Sequence, residues 1–476
     1  MAEKPSRRGI LRAAAGGAAL AAVARALPCS AAGPAAARAA GAQAPAPQGR
    51  RPHIVLILSD DLGYGDVGCY GCPDIRTPAI DHLASEGVRL SQCYAAAPEC
   101  TPTRTAFITG RYPQRVGGLE CAIGLGNVGR YDDAIRLAEK HELGLPAEET
   151  SLARRLKDAG YATALCGKWH LGYERKFFPD RHGFDSWIGP LGGACDYFLH
   201  TEPDGANVLY ENGAPVQRDE YMTDLITDAA VDRIRRHEGD RPLFLYVAYT
   251  APHAPYQGPN DRAKGPVEKG KMEVGTHATY VEMIERMDQG VAKILAALAG
   301  KGMAESTLVF FTSDNGANPM GSNGRLAGAK GGLYEGGIRV PCIVRRPGVV
   351  PRGATSEQPC ITMDLSASIV RAAGAAPPPG RTLDGIDVLG DIAAGRPVQS
   401  RTLFWRARRG ERTWRAVRDG SLKYLSRQDG TALTEWLFDL TADPAEKEDL
   451  SARRPDDAKR LKALLADWER EVRPRR

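Results

Sequence analysis

Five short runs of apolar residues constrain the fold of this chain more than any other feature. They lie between residue 51 and about residue 375 and alternate with amphipathic stretches. Runs that are apolar throughout are typical of strands buried on both faces and covered by helices. The chain is therefore predicted to be an α/β protein with a large, mostly parallel sheet flanked by helices. The candidate strands are HIVLIL (53–58), YATALC (161–166), PLFLYVAY (242–249), STLVFFT (306–312) and IRVPCIV (338–344).

Candidate helices lie between these strands. In TPAIDHLASEG, Thr77 is suited to the N-cap and Pro78 to the first helical position. The stretch TSLARRLKDAG ends at Gly160, a residue suited to terminating a helix. From about Thr276 to Leu298, apolar side chains recur at helical spacing, which predicts a long helix packed on the core.

The pattern changes after about residue 395. TLFWRA, WRAVRDGSLKYL and TEWLFDL are typical of short antiparallel strands, and PDDAKRLKALLADWEREV of a final helix. Three parts are therefore predicted: a leader and spacer at 1–50, a catalytic α/β domain at 51–394, and a small α+β subdomain at 395–476.

The first 50 residues have the composition of an export signal. Arg7 and Arg8 precede an Ala-, Gly- and Leu-rich run, which predicts a twin-arginine leader, recognition by the twin-arginine translocase, and a periplasmic or secreted protein. Arg25 interrupts the run, which is too short to form a stable membrane span. The alternative is an amphipathic surface helix, which so much Ala and Pro disfavours.

The charge balance gives no support for nucleic-acid binding. Residues 1–50 hold six Arg and one Lys against one Glu, so the whole-chain charge of +5 leaves −1 for the remainder. The ten cysteines show no regular disulfide framework. CYGC, from Cys69 to Cys72, has no second pair and does not indicate zinc, so a local disulfide and two free thiols both stay open.

Polar residues follow four of the predicted strands where each strand ends. Because the carboxyl ends of parallel strands meet at one edge of a sheet, where ligands bind, these side chains are expected to lie together. They are Asp60 and Asp61, Lys168 and His170, His253, and Asp314 with Asn315. Carboxylate and amide oxygens are the ligands of a hard cation, Ca²⁺ or Mg²⁺. The alternative for Asp and Asn is N-capping or turn formation.

Several cations accompany these acids. Lys168 and His170 are two residues apart, so in an extended segment both side chains leave the same face. Lys330 lies among glycines in GAKGGLYEGGIRVP, and Arg104 is one helical turn beyond Cys100. Together they predict a binding site for an anion, although solvated surface charge is the usual fate of such residues.

His253 and Cys100 are the candidates for proton transfer and nucleophilic attack. His253 stands between prolines in TAPHAP, where an imidazole could protonate a leaving group, although a lone His is more often structural. Cys100 in PECTPTRTAFITGR is predicted to start a helix, whose N-terminus would favour a thiolate. A thiolate beside a hard cation is mismatched chemistry, which suggests that residue 100 is not cysteine in the working protein.

These motifs together resemble the type I sulfatase family. CTPTR followed by TAFITGR is similar to its C-x-P-x-R signature, and SDDLGYGD, GKWHLG, PHAP, SDNG and GAKGGLYEGGIRVP follow the family's order. The similarity runs from about residue 51 to the C-terminus and is greatest to the arylsulfatase and N-acetylgalactosamine-6-sulfatase branch. It implies an alkaline-phosphatase-like fold and a sulfatase that cleaves aryl or, more plausibly in nature, carbohydrate sulfates.

The resemblance also implies a role for each site residue. A formylglycine-generating enzyme would convert Cys100 to an aldehyde hydrate, one oxygen of which would attack sulfur. Arg104 would steady the hydrate, and Lys168 and Lys330 would neutralise the sulfuryl oxygens. His253 would protonate the leaving alcohol and His170 would help to expel sulfate. The implied Ca²⁺ ligands are Asp60, Asp61, the converted Cys100, Asp314 and Asn315.

Two other functions stay open at this stage. One is a phosphate or phosphonate monoester hydrolase of the same superfamily. The other is an unmodified, non-catalytic carbohydrate-binding relative. An exported sulfatase of this kind is expected to release sulfate from sulfated polysaccharide.

Overall fold

The computed structural model describes residues 51–125, 131–202, 204–265, 271–376 and 381–473. The predicted export leader and spacer at 1–50 lie outside the described residues. The strands of the described part are β1 (His53–Ser59), β2 (Val88–Leu90), β3 (Cys93–Tyr94), β4 (Ala162–Gly167), β5 (Ser186–Pro190), β6 (Leu209–Glu211), β7 (Ala214–Pro215), β8 (Leu243–Ala248), β9 (Thr307–Ser313), β10 (Cys342–Arg345), β11 (Ala354–Ser356), β12 (Cys360–Ile361), β13 (Thr402–Arg409), β14 (Arg412–Asp419), β15 (Leu422–Asp429) and β16 (Ala432–Asp439).

Helices fill most of the connections. They are α1 (Pro78–Ser85), α2 (Cys100–Thr109), α3 (Asp132–Glu139), α4 (Leu152–Asp158), α5 (Met222–Arg236), α6 (His277–Gly300), α7 (Glu335–Ile338), α8 (Thr362–Ala372), α9 (Val388–Ala393) and α10 (Pro455–Glu471). None of the helices in the described ranges combines the length and the apolar character that crossing a bilayer requires.

A ten-stranded sheet organises the larger part of the protein. Its strand order is β11-β2-β10-β9-β1-β8-β4-β5-β6-β7. The central strands β9, β1, β8, β4 and β5 are all parallel, whereas β10, β6 and β7 join their neighbours in antiparallel fashion. The predicted fold class, a large and mostly parallel sheet flanked by helices, is confirmed.

Apolar side chains cover both faces of this sheet. Along β1, Val55 and Ile57 point into one core with residues of α1, α5 and α6, while Ile54 and Leu56 point into another with residues of α2, α4 and α8. The alternation follows from the two-residue period of a strand, and burial on both faces explains the uninterrupted apolar runs. The core therefore consists of two layers that hold the central strands rigidly in place.

Most predicted elements lie within a residue or two of their observed positions. The prediction for 338–344 is partly wrong, because α7 occupies Glu335–Ile338 and β10 begins only after Pro341. Proline has no amide hydrogen to give to a sheet ladder, so the strand starts beyond it. Thr77 precedes α1 as expected, but its hydroxyl does not cap the helix; it accepts a hydrogen bond from the Gly68 amide.

The C-terminal region contains the predicted small antiparallel sheet. Strands β13, β14, β15 and β16 pair consecutively and α10 follows them. The hydrophobic core of this region joins Leu403, Trp405 and Leu425 of the sheet to Leu461 and Leu465 of α10. The assignment of 395–476 as a separate subdomain stays a prediction.

A buried charge cluster joins this small sheet to the glycine-rich segment around α7. The ammonium of Lys423, in β15, lies 2.9 Å from the carboxylates of both Glu335 and Glu446, and the Lys423 and Glu335 side chains are fully buried. Glu335 also accepts a hydrogen bond from the Tyr94 hydroxyl at 2.7 Å. Burial opposes ionisation, but Lys423 and Arg339 outweigh it and lower the pKa of Glu335 to about 2.

Replacing Lys423 by Met is expected to lower the free energy of unfolding by about 3–5 kcal/mol, because two carboxylates would lose their buried partner. Urea denaturation measures the loss. The matched control is Lys459→Met on the exposed side of α10, which should change stability little. A Lys423→Met protein as stable as its parent would contradict a charge clamp at this position.

Candidate functional site

Four neighbouring parallel strands end at the same edge of the large sheet. In the order β9, β1, β8, β4, each is followed within a few residues by side chains that the sequence analysis singled out. Asp314 follows β9, Asp60 and Asp61 follow β1, His253 follows β8, and Lys168 follows β4. The parallel register therefore gathers groups that lie far apart in the sequence.

Helix α2 brings Cys100 and Arg104 to this edge. Glu99 is extended at the N-cap, Cys100 is the first helical residue, and Gly110 ends the helix with a left-handed φ of 68°. The helix is buried along its whole length although it is rich in threonine. The hydroxyls of Thr105 and Thr109 donate to carbonyls one turn earlier, both at 2.8 Å, which satisfies them without solvent.

Arg104 binds two of the carboxylates. Its guanidinium donates from Nε to Asp314 at 3.0 Å, and its Nη2 lies 2.8 Å from the same carboxylate oxygen and 3.7 Å from Asp60. Its Nη1 donates to the Lys168 carbonyl at 3.1 Å. A planar, fully buried guanidinium therefore fixes the relative positions of β9, β1 and β4.

The two lysines pair with the adjacent aspartates. The Lys168 ammonium contacts the Asp60 carboxylate, and both side chains are fully buried. The Lys330 ammonium lies 2.7 Å from Asp61. Asn318 also donates to Asp61, at 3.4 Å. Three carboxylates thus face three cations, of which Arg104 and Lys168 are fully buried and Lys330 is partly exposed.

The environment shifts the ionisation of these acids in opposite directions. Burial alone would raise the pKa of Asp61, but Lys330 and His253 outweigh it and hold that pKa well below its usual range. Burial and the neighbouring Asp60 raise the pKa of Asp314 to about 6, although Arg104 acts against them. An additional positive charge nearby would therefore favour the ionised form of Asp314.

Cys100 lies at the centre of the cluster. Its Sγ donates to the Asp60 carboxylate at 3.2 Å, and the residue is 1% exposed. Burial raises the pKa of the Cys100 thiol well above its usual value, and Asp314 and Asp60 raise it further. Burial and two nearby carboxylates therefore oppose the thiolate that the helix N-terminus would favour.

The two histidines present different nitrogens to the site. The Nδ1 of His253 lies 2.6 Å from the Ala254 carbonyl, which can only accept, so Nδ1 carries the proton and Nε2 faces Asp61 at 3.7 Å. The Nε2 of His170 lies 2.6 Å from the Ile123 carbonyl and therefore donates to it. The buried Nδ1 of His170 has no hydrogen-bond partner among the described residues.

Burial lowers the pKa of both imidazoles. Burial and Lys330 lower the pKa of His253 to about 4, although Asp61 opposes them. Burial and Lys168 lower the pKa of His170 well below its usual value. His170 also has a left-handed φ of 56°, so the segment after β4 is not extended there and the predicted same-face relation to Lys168 does not apply.

The acidic groups are arranged so that a metal ion could bind. One potential ligand atom from each of Asp60, Asp61, Cys100 and His253 lies within 4.8 Å of the other three. Asp314 and Asn315 contact Asp61 directly, through its amide and its carboxylate at 3.2 and 2.7 Å. The Oδ1 of Asn315 is buried and has no hydrogen-bond partner in the described part of the chain, which leaves an oxygen free for a cation.

Close backbone contacts hold the SDNG and glycine-rich loops together. The Gly316 amide donates to the Gly337 carbonyl at 3.0 Å, and the Lys330 amide donates to the Ala317 carbonyl at 3.0 Å. A Cβ atom at Gly316 would lie 1.8 Å from the Gly336 carbonyl oxygen, so only glycine fits there. The glycines of both motifs thus position Lys330 over Asp61.

The sequence analysis missed two residues at this site. Asn318 gave no signal beyond its place three residues after Asn315. Glu99 immediately precedes Cys100, accepts a hydrogen bond from the Ala122 amide at 2.7 Å, and is gripped by Arg409 of β13 at 2.8 and 3.0 Å. Only the tertiary fold brings Arg409 to this position.

Comparison with known proteins places the chain in a family. Residues 52–375 match the sulfatase family model. The chain belongs to the sulfatase family. It is 35% identical over 387 residues to N-acetylgalactosamine-6-sulfatase of Canis lupus familiaris, covering 77% of this chain and 69% of the relative. It is 31% identical over 480 residues to arylsulfatase J of Mus musculus, covering 89% and 77%.

Solved structures show the same relationship. The crystal structure of Ps i-CgsB in complex with k-i-k-neocarrahexaose is 30% identical, covers 88% of this chain and 93% of that one, and superposes with a TM-score of 0.75. The PsFucS1 sulfatase from Pseudoalteromonas sp. is 25% identical, covers 88% and 91%, and has a TM-score of 0.69. The family resemblance is confirmed, and the protein is a sulfatase, an enzyme that hydrolyses sulfate esters.

Proposed function

We propose that this sulfatase cleaves sulfate esters of carbohydrates through a formylglycine at position 100 and a bound Ca²⁺. The observation that carries this proposal is the position of Cys100, which is itself buried and lies 3.2 Å from Asp60 among three carboxylates and three cations. As a buried thiol with a raised pKa, Cys100 is a poor nucleophile. Conversion to an aldehyde hydrate would supply an oxygen nucleophile and a second hydroxyl through which sulfate can be expelled.

The donors at the sheet edge fit a hard divalent cation. Asp60, Asp61, Asp314 and Asn315 would hold it through oxygen, and Mg²⁺ is the alternative to Ca²⁺. The cation would act as a Lewis acid toward a sulfuryl oxygen. The three carboxylates are already balanced by three cations. The positive charge of a bound divalent cation would therefore favour the binding of an anionic ester.

The cationic side chains would position the ester. Lys168 and Lys330 would neutralise the sulfuryl oxygens as charge builds up on them. Arg104 would hold residue 100 in line through its bonds to Asp314 and the Lys168 carbonyl. The full burial of Arg104, Lys168, Asp60 and Asp314 strengthens the interactions among them.

The two histidines would transfer protons. His253 would carry a proton on Nε2 for the departing alcohol, because a bound sulfate ester adds the negative charge that raises its lowered pKa. His170 would accept a proton at the unpartnered Nδ1 as sulfate is expelled.

The names of two relatives support the proposed substrate class. Names among them include N-acetylgalactosamine-6-sulfatase and a structure in complex with k-i-k-neocarrahexaose, which favours a sulfated saccharide here. We further propose that the chain is exported by the twin-arginine route and degrades sulfated polysaccharide, after a formylglycine-generating enzyme has acted on Cys100.

Cys100→Ala is expected to abolish release of sulfate from 4-nitrophenyl sulfate while the melting temperature changes little, because the thiol makes one side-chain hydrogen bond, to Asp60, among the described residues. Cys166→Ala, which removes another buried thiol, is the control and should keep activity. Mass spectrometry of the peptide containing residue 100 should find the aldehyde in protein from the native host. Only thiol there, or a preference for 4-nitrophenyl phosphate, would contradict the proposal.

Adding Ca²⁺ to the metal-free protein is expected to stabilise it by about 2.7 kcal/mol at a hundredfold excess over Kd. Asp314→Asn should remove most of this stabilisation, since it deletes one ligand charge. Thermal denaturation with and without Ca²⁺ measures the difference, with the exposed Asp467→Asn as control. Equal stabilisation of the parent and Asp314→Asn would exclude Asp314 as a ligand.

His253→Ala is expected to lower kcat/KM on an alkyl or sugar sulfate by ~10²–10⁴-fold, because a poor leaving group needs a proton. The same variant should lose far less on 4-nitrophenyl sulfate, whose leaving group departs as an anion. Parallel kinetics on both esters test this, with the exposed His141→Ala as control. Equal losses on both esters would remove His253 from the role of acid.

A further inference from the structure

A cavity of about 420 Å³ opens beside the catalytic edge. One side is formed by Glu99, which precedes Cys100, and by the segment that carries Lys330; the other side is formed by the small C-terminal sheet. We name it the arginine pocket after Arg409, Arg412 and Arg427, which line it together with Trp414 and Tyr334. Its size lies within the usual range of small-molecule sites, about 300–1,000 Å³.

The pocket has an excess of positive charge. Lys330 and three arginines line it, and Glu99 is the single acid among its lining residues. Arg409 pairs with Glu99 through two hydrogen bonds of 2.8 and 3.0 Å. Arg412 and Arg427 share one carboxylate, Asp429, so their two charges are only half compensated.

Arg427 has hydrogen-bonding capacity to spare. Its Nε is buried and has no hydrogen-bond partner among the described residues. The centre of its guanidinium lies 5.6 Å from the Trp414 ring centre. Arginine held on an aromatic ring presents a planar set of donors suited to sulfate or carboxylate oxygens.

Aromatic rings form one wall of the pocket. Trp414 packs edge-on against Tyr334 at 5.8 Å and stacks with Trp436 at 6.3 Å. Such rings provide flat apolar surface beside charged donors, a combination that suits the apolar faces of a sugar ring bearing an anionic substituent.

We propose that the arginine pocket binds an anionic group, sulfate or carboxylate, on the sugar next to the one whose sulfate is cleaved. The inference rests on the proposed function, because it places the scissile sulfate between Cys100 and Lys330 and the neighbouring sugar beyond them. The enzyme would then prefer oligosaccharides with at least two negative charges over singly charged esters.

The test is the double variant Arg412→Gln/Arg427→Gln, which leaves every catalytic-edge residue in place. Three disaccharides share the same scissile sulfate and carry a neighbouring sulfate, a neighbouring uronic acid or a neutral neighbour; 4-methylumbelliferyl sulfate is the fourth substrate. The double variant should lose at least ~10-fold in kcat/KM, through a higher KM, on at least one of the two charged disaccharides. On the neutral disaccharide and on 4-methylumbelliferyl sulfate, its kcat/KM should change less than ~2-fold. Whichever anion shows the larger loss identifies the natural group.

Arg236→Gln is the matched control. Like Arg412, Arg236 is exposed and pairs through Nε with one aspartate oxygen at 2.7 Å, but it lies on α5, away from the pocket lining. It should leave all four substrates unchanged. Equal losses of the double variant on neutral and charged disaccharides, or no loss on either charged one, would overturn the proposal.

A binding measurement separates this inference from the proposed function. Calorimetric titration of the disulfated disaccharide uses the Cys100→Ala protein, with and without the two arginine substitutions. Weaker binding by the triple variant supports the arginine pocket even if the parent releases no sulfate, a result that would refute only the proposed function. The same titration is made with the disaccharide that carries the uronic acid, and equal binding of both disaccharides by the two proteins overturns the pocket.

Discussion

Compensation of buried charge is the constraint on which the rest of this structure depends. Asp60, Asp61 and Asp314 lie buried together, and Arg104, Lys168 and Lys330 beside them offset the cost of burying their charge. Arg104 and Asp314 are 210 residues apart in the sequence, and Lys330 and Asp61 are 269 residues apart. These charges therefore come together only when the parallel strands are in register and the SDNG loop and the glycine-rich loop are packed against each other.

The small C-terminal sheet contributes further charge pairs of this kind. Lys423 neutralises Glu335 in the segment that follows Lys330, and Arg409 grips Glu99 one residue before Cys100. Each contact positions a loop of the catalytic edge from outside the large sheet. The C-terminal sheet thus supports the segment that leads into Cys100 on one side and the segment that carries Lys330 on the other.

Much of this arrangement could be predicted because it depends on local patterns. Fully apolar runs indicated the central strands, and the rule that parallel strands share one carboxyl edge brought Asp61, His253 and Asp314 together. What depends on three-dimensional surroundings could not be predicted. The pKa of the Cys100 thiol is raised by burial and neighbouring carboxylates, and neither Arg409 nor Asn318 belongs to a motif recognised in the sequence. Strand β10 begins later than predicted because Pro341 has no amide hydrogen for the sheet ladder, which the apolar pattern does not indicate.

The burial of Cys100 has a consequence for the order of events during biosynthesis. With 1% of the residue exposed, and with α2 enclosed along its length, no second enzyme could reach the sulfur in the finished fold. Under the proposed function, the conversion of Cys100 is therefore expected to take place while the segment around α2 is still an open chain. The time between synthesis and collapse of the core would then determine what fraction of molecules is converted.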